Sequence, residues 1–279
     1  MSDVIKEWRE SAQYWAKHSA TIYAMFAPLT QALIEHAEIR EGQSVLDVAG
    51  GPGEPSLTIA RAVGPNGVVT CTDVVAEMVE TARAEAERRG ITNVRFQQCS
   101  ADDLPFADNS FDAVVCRLGV MLFPDPPAAI REMLRVTKPG GRLAFVVWHK
   151  SELNPFCYAV TNVLDQHVKS QPEDPDAPGA FRFAEPGKLA NVMTKAGVVD
   201  VKEAVLKFEI AAPVSAREFW AMRSQMSDTL RSKLDQLSEE ERSQVASEIE
   251  HAVQPFFPQN HMRFPAQMII ASGKKAGHR

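Results

Sequence analysis

An acid ends an apolar run in the stretch Val45-Leu46-Asp47-Val48, and the chain then reads Ala49-Gly50-Gly51-Pro52-Gly53 before a helical pattern begins. A glycine-rich turn between a buried strand and a helix lets bare backbone come close to a bound molecule. Twenty residues past Gly53, at the end of the next apolar run, stands Asp73. If the two runs are adjacent parallel strands, both acids share one carboxyl edge, and Asp73 is placed to accept the two hydroxyls of a ribose. The turn is A-G-G-P-G rather than the G-x-G-x-x-G of a dinucleotide site, and Asp47 precedes it. That negative charge repels a pyrophosphate and welcomes an ammonium group, directly or through water. An ordinary turn, with Asp47 capping loop amides, is the competing reading of the same residues.

A nucleoside with a ribose, no phosphate and an ammonium tail is the ligand these features favour. S-adenosylmethionine has that chemistry and NAD does not.

The surrounding pattern supplies the scaffold. Short apolar runs at 45–48, 68–72, 94–99, 113–116 and 143–148 alternate with helical stretches at 55–62, 75–89 and 127–136. Strict strand–helix alternation means crossover units and a parallel sheet covered on both faces. Gly90 closes the helix ending Glu87-Arg88-Arg89, and Pro139-Gly140-Gly141 reads as the turn into the fifth strand. Before the sheet, residues 3–20 have helical apolar spacing, and a second helix is expected to begin near Pro28 and run to Ala37. Beyond Trp148 come a helix at 155–168, a polar loop at 171–179, a helix at 186–196 capped by Gly197, and a strand near 201–210. A mostly helical insertion follows at 215–254, with Ser238 and Glu241 spaced as a capping box, and a last strand at 264–272 ends the fold.

Four blocks in register, VLDVAGGPG (45–53), CTDVVAEMVETAR (71–83), CSADDLPFADNSFDAVVCR (99–117) and REMLRVTKPGGRLAF (131–145), resemble the class I S-adenosylmethionine-dependent methyltransferases, in particular the ubiquinone/menaquinone-biosynthesis methyltransferase-like group. The resemblance implies an α/β fold: a seven-stranded, mostly parallel Rossmann-like sheet with helices on both faces, an antiparallel last strand, and helical insertions after strands 5 and 6. It implies an N-terminal helical lid over 1–40, a cofactor-binding core over 41–150, and a remainder, 151–279, that completes the same sheet and carries substrate-cap insertions at about 150–185 and 215–262. Carried over by position, it sets Ala49, Gly50 and Gly51 against the methionine portion and Asp73 on the ribose. Val74 and Met78 border the adenine, Ser100, Ala101 and Asp102 meet its amino edge, and Arg117 and Leu118 line the sulfonium and the substrate entrance. Tyr14, Trp15 and Tyr23 become lid residues. Two positions depart from the pattern. Ala49 replaces a glycine, which requires a negative φ there, and Ser100 replaces an acid, shifting adenine recognition toward Asp102 or backbone. Met78 as plain core, and Arg117 paired with Asp125 or another surface acid, are the structural alternatives.

The implied reaction is methyl transfer to a small, lipophilic or aromatic acceptor, leaving S-adenosylhomocysteine; a cofactor-binding protein without transfer, or an NAD-dependent oxidoreductase, are the other readings. In-line displacement at an activated carbon demands mainly alignment, which accounts for the lack of a catalytic triad. A base is needed only if the acceptor must lose a proton, and His149, after the fifth strand, is the first candidate, with a structural role as its alternative. His18, Tyr14, Tyr23 and His261 are weaker ones. Aromatic and methionine side chains in the insertions, among them Phe156, Phe181, Phe219, Trp220 and Met226, supply an apolar lining or ordinary core.

Composition bounds the rest. With 279 residues, 45% hydrophobic and 24% charged, the chain has enough apolar material for a sizeable core. A net charge of −6 argues against a surface that neutralises nucleic-acid phosphates. The basic tail Lys274, Lys275, His278, Arg279 reads as a frayed end. No apolar run is long enough to span a membrane, and the charged, amphipathic start is unlike a signal peptide, so a cytoplasmic location is expected. Cys71, Cys99, Cys116 and Cys157 read as small buried hydrophobes, and no metal site is expected. A homodimer is compatible with the sequence.

Overall fold

The apolar runs become strands, most of them buried. In the structure, a computed structural model that describes residues 3–169 and 174–277, they form β1 (Ser44–Val48), β2 (Val68–Asp73), β3 (Val94–Gln98), β4 (Phe111–Arg117) and β5 (Thr137–Trp148). Between them lie α3 (Ser56–Val63), α4 (Ala76–Arg88) and α5 (Pro126–Val136), after the leading helices α1 (Asp3–Lys17) and α2 (Ser19–His36). The chain continues as α6 (Pro155–His167), α7 (Lys188–Lys195), β6 (Val199–Ala212), α8 (Ala216–Met226), α9 (Asp228–Leu234), α10 (Glu239–Val253) and β7 (Met262–Lys274).

One sheet holds all seven strands in the order β3-β2-β1-β4-β5-β7-β6. The pairs β3–β2, β2–β1, β1–β4 and β4–β5 are parallel, and β7 runs antiparallel to β5 from Arg142↔Lys274 to Trp148↔Met268. Val45 to Val48 in β1 and Ala113 to Cys116 in β4 are buried without alternation, the signature of a strand covered on both faces. The order turns outward from β1 in both directions, so the carboxyl ends of β1 and β4 flank the point where such sheets place their ligands.

The chain divides into two compact units. A sheet unit comprises Ala27–His149, Pro175–Leu206 and Met268–Arg279; a helical unit comprises Met1–Phe26, Lys150–Asp174 and Lys207–Gln267. In the helical unit, α10 packs on α6 and α8, and α1 packs on α8 and α9. The capping box at Ser238 and Glu241 forms, and an unanticipated second one, Ser215 with Glu218, starts α8.

Three expectations need correction. Pro28 does not begin a helix but lies inside α2. Met25, Phe26, Leu29 and Leu33 are all buried around it, and that burial outweighs the one backbone hydrogen bond proline removes. Pro139-Gly140-Gly141 is not a turn ahead of β5 but a bulge within it: the β4 register jumps from Phe111↔Thr137 to Ala113↔Arg142, and Gly140 takes φ +78°. The basic tail is not frayed over its described part. Lys274 ends β7 beside Asp200, and Lys275 Nζ donates to Asn109 Oδ1 and to the Arg135 carbonyl; His278 and Arg279 lie outside the described residues, as does part of the 171–179 loop.

Cys71 and Cys116 are buried in β2 and β4, Cys157 is buried in α6, and Cys99, just past β3, is half-buried; all four are free thiols. No helix among the described residues is long and apolar enough to cross a membrane, and these residues contain no cluster of three or more His, Cys, Asp or Glu able to hold a metal ion.

Candidate cofactor site

β1 delivers Asp47 to the base of the glycine turn, fully buried. Its Oδ2 accepts the Ser56 hydroxyl at 2.6 Å, from the first residue of α3, while its Oδ1 is buried with no partner among the described residues. Burial raises the Asp47 carboxyl from 3.8 to about 7, against the opposing pull of the Ser56 hydrogen bond and the Arg117 charge. An acceptor with a free lone pair in a dry site, beneath a turn of bare backbone, is half of a hydrogen bond whose donor must come from elsewhere.

The turn is fastened over that carboxylate. Gly50 N–H donates to the Thr72 carbonyl at 2.8 Å, and Thr72 Oγ1 donates to the Asp47 carbonyl at 3.1 Å. A Cβ on Gly50 would lie 2.7 Å from both Asp47 Oδ2 and Cys71 Sγ, so only glycine passes there. At Gly51 the situation reverses. Its φ is +54°, and a Cβ would meet nothing within 4 Å, so the turn is open on that side. Gly51 N–H donates to Asp73 Oδ2 at 3.0 Å, and Val75 N–H donates to Asp73 Oδ1 at 2.9 Å. Each Asp73 oxygen thus retains a lone pair, and the carboxylate is aimed by two backbone amides. Burial raises its pKa, and the amides of Val75, Gly51 and Val74 oppose that rise.

The negative φ required of Ala49 is not what the backbone adopts: φ is +58°, the left-handed region, at a cost of about 1–2 kcal/mol for a residue with a Cβ. Space for the methyl comes from across the sheet edge. A Cβ on Gly119 would lie 2.8 Å from the Ala49 Cβ and 2.7 Å from Cys116 Sγ, so the missing side chain at Gly119 leaves the room that the Ala49 methyl takes. Leu118, beside it, is also left-handed at φ +60° and donates its N–H to the Val146 carbonyl.

Asp125 caps α5 by accepting from Ala128 N–H, whereas Arg117 donates to Thr30 Oγ1 at 3.1 Å and to the Glu54 carbonyl at 2.9 Å. The Glu54 carboxylate in turn takes Arg89 Nη1 at 2.7 Å and the Thr58 hydroxyl at 2.8 Å. Arg117 and Arg89 therefore brace the turn from β4 and from the end of α4. These braces, and Ser56, escaped sequence reasoning; Ser56 nine residues after Asp47 and next to Pro55 was the available signal.

Around this centre, Val74 is half-buried and Met78 is 3% exposed on α4. Ser100 donates its hydroxyl to the Asp102 carboxylate, with Ala101 between them, so the serine that replaces an acid carries one beside it. His149 follows β5 and is 7% exposed. Tyr23 stands on α2 within the helical unit, and His18 on the same stretch of chain meets the Gln225 side chain at 3.1 Å. The sheet unit thus brings together Asp47, Ala49, Gly50, Gly51 and Asp73 by direct contact or adjacency.

Comparison with known proteins agrees. Residues 39–197, more than half of the chain, match a family model described as a methyltransferase domain. The ubiquinone/menaquinone biosynthesis C-methyltransferase UbiE of Haemophilus ducreyi is 40% identical over 123 residues, 44% of this chain and 48% of that protein; the chain spans about half the length of the curated relatives it matches. Among solved structures, the YcgJ protein of Bacillus subtilis is similar at 25% identity and TM-score 0.57, over 89% of this chain and 98% of that one. The [4+2]-cyclase SpnF is similar in fold, at 20% identity and TM-score 0.53, over 97% of both chains. The turn built on Asp47 and Asp73, the seven-stranded sheet with its reversed β7, and the match over residues 39–197 lead to one assignment: the chain belongs to the methyltransferase domain family.

Proposed function

We propose that this protein binds S-adenosylmethionine at the β1–β2 edge and transfers its methyl group to a small, lipophilic or aromatic acceptor, releasing S-adenosylhomocysteine. The observation that carries this reading is the buried, unpartnered Asp47 Oδ1 under a turn whose Gly51 amide is already spent on Asp73. A phosphate would need that amide and would face two carboxylates; an ammonium group supplies the donor Asp47 lacks, and ribose hydroxyls suit the remaining lone pairs of Asp73. When bound, the cofactor supplies a methyl carbon activated by positive sulfur and a neutral leaving group.

The chain's own task is then placement. Asp47 holds the amino-acid tail, Asp73 the ribose, and the Ser100–Asp102 pair, with Ala101, Val74 and Met78, the adenine. Arg117 and Leu118 keep the β4 loop against the turn. His149 is our choice for a base, should the acceptor have to lose a proton. We place the activity in the cytoplasm, on a small molecule rather than nucleic acid, in a monomer or homodimer. The relatives named for quinone biosynthesis support a ring-shaped acceptor.

A second reading has one observation in its favour: a protein of this fold is a cyclase by its name, so the fold alone does not select methyl transfer. Incubation with methyl-labelled cofactor and a panel of quinols, phenols and amines tests the choice. Label on an acceptor is the expected result; tight cofactor binding without transfer to any acceptor selects the second reading, and stabilisation by NAD in place of S-adenosylmethionine overturns both.

A further inference from the structure

The helical unit contains a charge that its own residues do not answer. Arg223 is half-buried on α8, one turn after Phe219 and adjacent to Met222, both of which are buried. Its guanidinium stacks over the Phe156 ring, 4.6 Å from the centroid, and its Nε is buried without a hydrogen-bond partner among the described residues. Burial lowers its pKa, and the neighbouring titratable group, Cys157, is a thiol that burial holds protonated, so it offers no countercharge. The ring beneath belongs to a cluster: Phe156 meets Phe26, Phe219 and Phe264 at centroid distances of 6.3, 5.5 and 5.7 Å.

A cation–π contact offsets part of the cost of desolvating a guanidinium, but it leaves the in-plane Nε–H unsatisfied. The residues left over in each unit have opposite chemistry. Among the described residues of the sheet unit, the buried atoms without partners are acceptors, Asp47 Oδ1 and Glu203 Oε2; in the helical unit they are donors, Arg223 Nε and Trp15 Nε1. A unit short of acceptors, with its spare cation lying on an aromatic cluster, is built for a ligand that brings both an anion and an apolar body.

We propose that the helical unit carries a binding site for an aromatic carboxylate, whose planar carboxylate pairs with the Arg223 guanidinium and whose ring lies against the Phe156 cluster. The two oxygens of a carboxylate match the spacing of guanidinium N–H donors, a geometry that an amide or an alcohol does not reproduce. This site is independent of the methyl-transfer reading and stands on the helical unit alone.

Calorimetry on the full chain without cofactor, using benzoate, 2-naphthoate and 4-phenylbutanoate each against its carboxamide, is the test. The acid should bind at least roughly tenfold more tightly than the amide for at least one scaffold. Arg223→Met, which keeps length and removes charge, should erase that preference while leaving thermal stability equal or higher, because a buried Nε–H without a partner is gone. Arg223→Lys should keep a reduced preference, having charge without the planar fork. If no scaffold shows an acid preference, or if Arg223→Met retains it, the proposal is wrong. A stability loss in Arg223→Met with no acid preference in the wild type would make Arg223 a packing residue and likewise overturn it.

Discussion

Replacing Asp47 by asparagine tests the electrostatics of the turn most directly. The carboxyl is raised from 3.8 to about 7 by burial. Between those values the folded protein holds a proton that the unfolded chain has released, so this residue's contribution to stability falls as pH rises from about 4 to about 7 and stays low above that. The full difference is on the order of 4 kcal/mol at alkaline pH, an upper bound because Ser56 and Arg117 can adjust to the charge. Asparagine keeps the shape and the capacity to accept from Ser56 Oγ, and it has no charge to desolvate. Asp47→Asn should therefore raise the melting temperature of the ligand-free protein at pH 8, and raise it by less than half as much at pH 5, where only the first part of the loss has accrued. Cofactor binding should respond in the opposite way. An ammonium group favours ionised Asp47, so wild-type affinity for S-adenosylhomocysteine should increase with pH up to about 7, with up to one proton released per molecule bound below that. In Asp47→Asn both the slope and the proton release should vanish, and affinity at pH 8 should drop roughly tenfold or more. Titration calorimetry in buffers of different ionisation enthalpy measures both quantities. Equal destabilisation by Asp47→Asn at pH 5 and pH 8, or a variant that keeps the wild-type proton release, would refute the reasoning.

Asp73→Ala should weaken S-adenosylhomocysteine binding at least roughly tenfold, since hydrogen bonds to a charged group contribute about 1.5–3 kcal/mol each; it should also loosen the turn, because Gly51 and Val75 lose their acceptor, and exchange of those two amides with deuterium reports this separately. Gly119→Ala should cost about 1–3 kcal/mol in urea denaturation through overpacking, and adding Ala49→Gly should recover only part, as Cys116 Sγ would still lie 2.7 Å from the new Cβ. Ser238→Ala should cost about 1 kcal/mol through loss of its half of the capping box. With an acceptor in hand, His149→Gln should lower kcat at unchanged KM; a fall in stability with kcat unaltered would make His149 structural.

The strands were legible because parallel, doubly covered strands leave unbroken apolar runs: β1, β2 and β4 lie within two residues of where the runs placed them. Asp47 and Asp73 were legible because the parallel register places both at one edge, Asp47↔Cys71 and Val48↔Thr72 leading directly to Asp73. What failed was anything set by tertiary compensation. Pro28 looks like a helix start until the burial around it is known. Ala49 looks incompatible with a left-handed backbone until Gly119 is found opposite, seventy residues later. Arg117 braces the Glu54 carbonyl from sixty-three residues further along the chain, a contact that spacing does not announce. Arg223 attracted no notice among the apolar residues of its segment, because an arginine in a polar-apolar helix reads as exposed unless its helix is known to be packed on both α1 and α10.

The family match ends at residue 197, before β6 and β7. Yet β7 is what closes β5 along seven rungs, Arg142 to Trp148, six of which are buried. A shortened version trimmed to the matching region would keep every glycine and acid of the turn and still expose a long, flat, greasy margin, inviting chain after chain to dock there. Anyone producing a minimal fragment of this enzyme class from such a chain must carry the distant C-terminal ribbon along, because the glycine turn and the strand that keeps the fragment from clumping are encoded far apart.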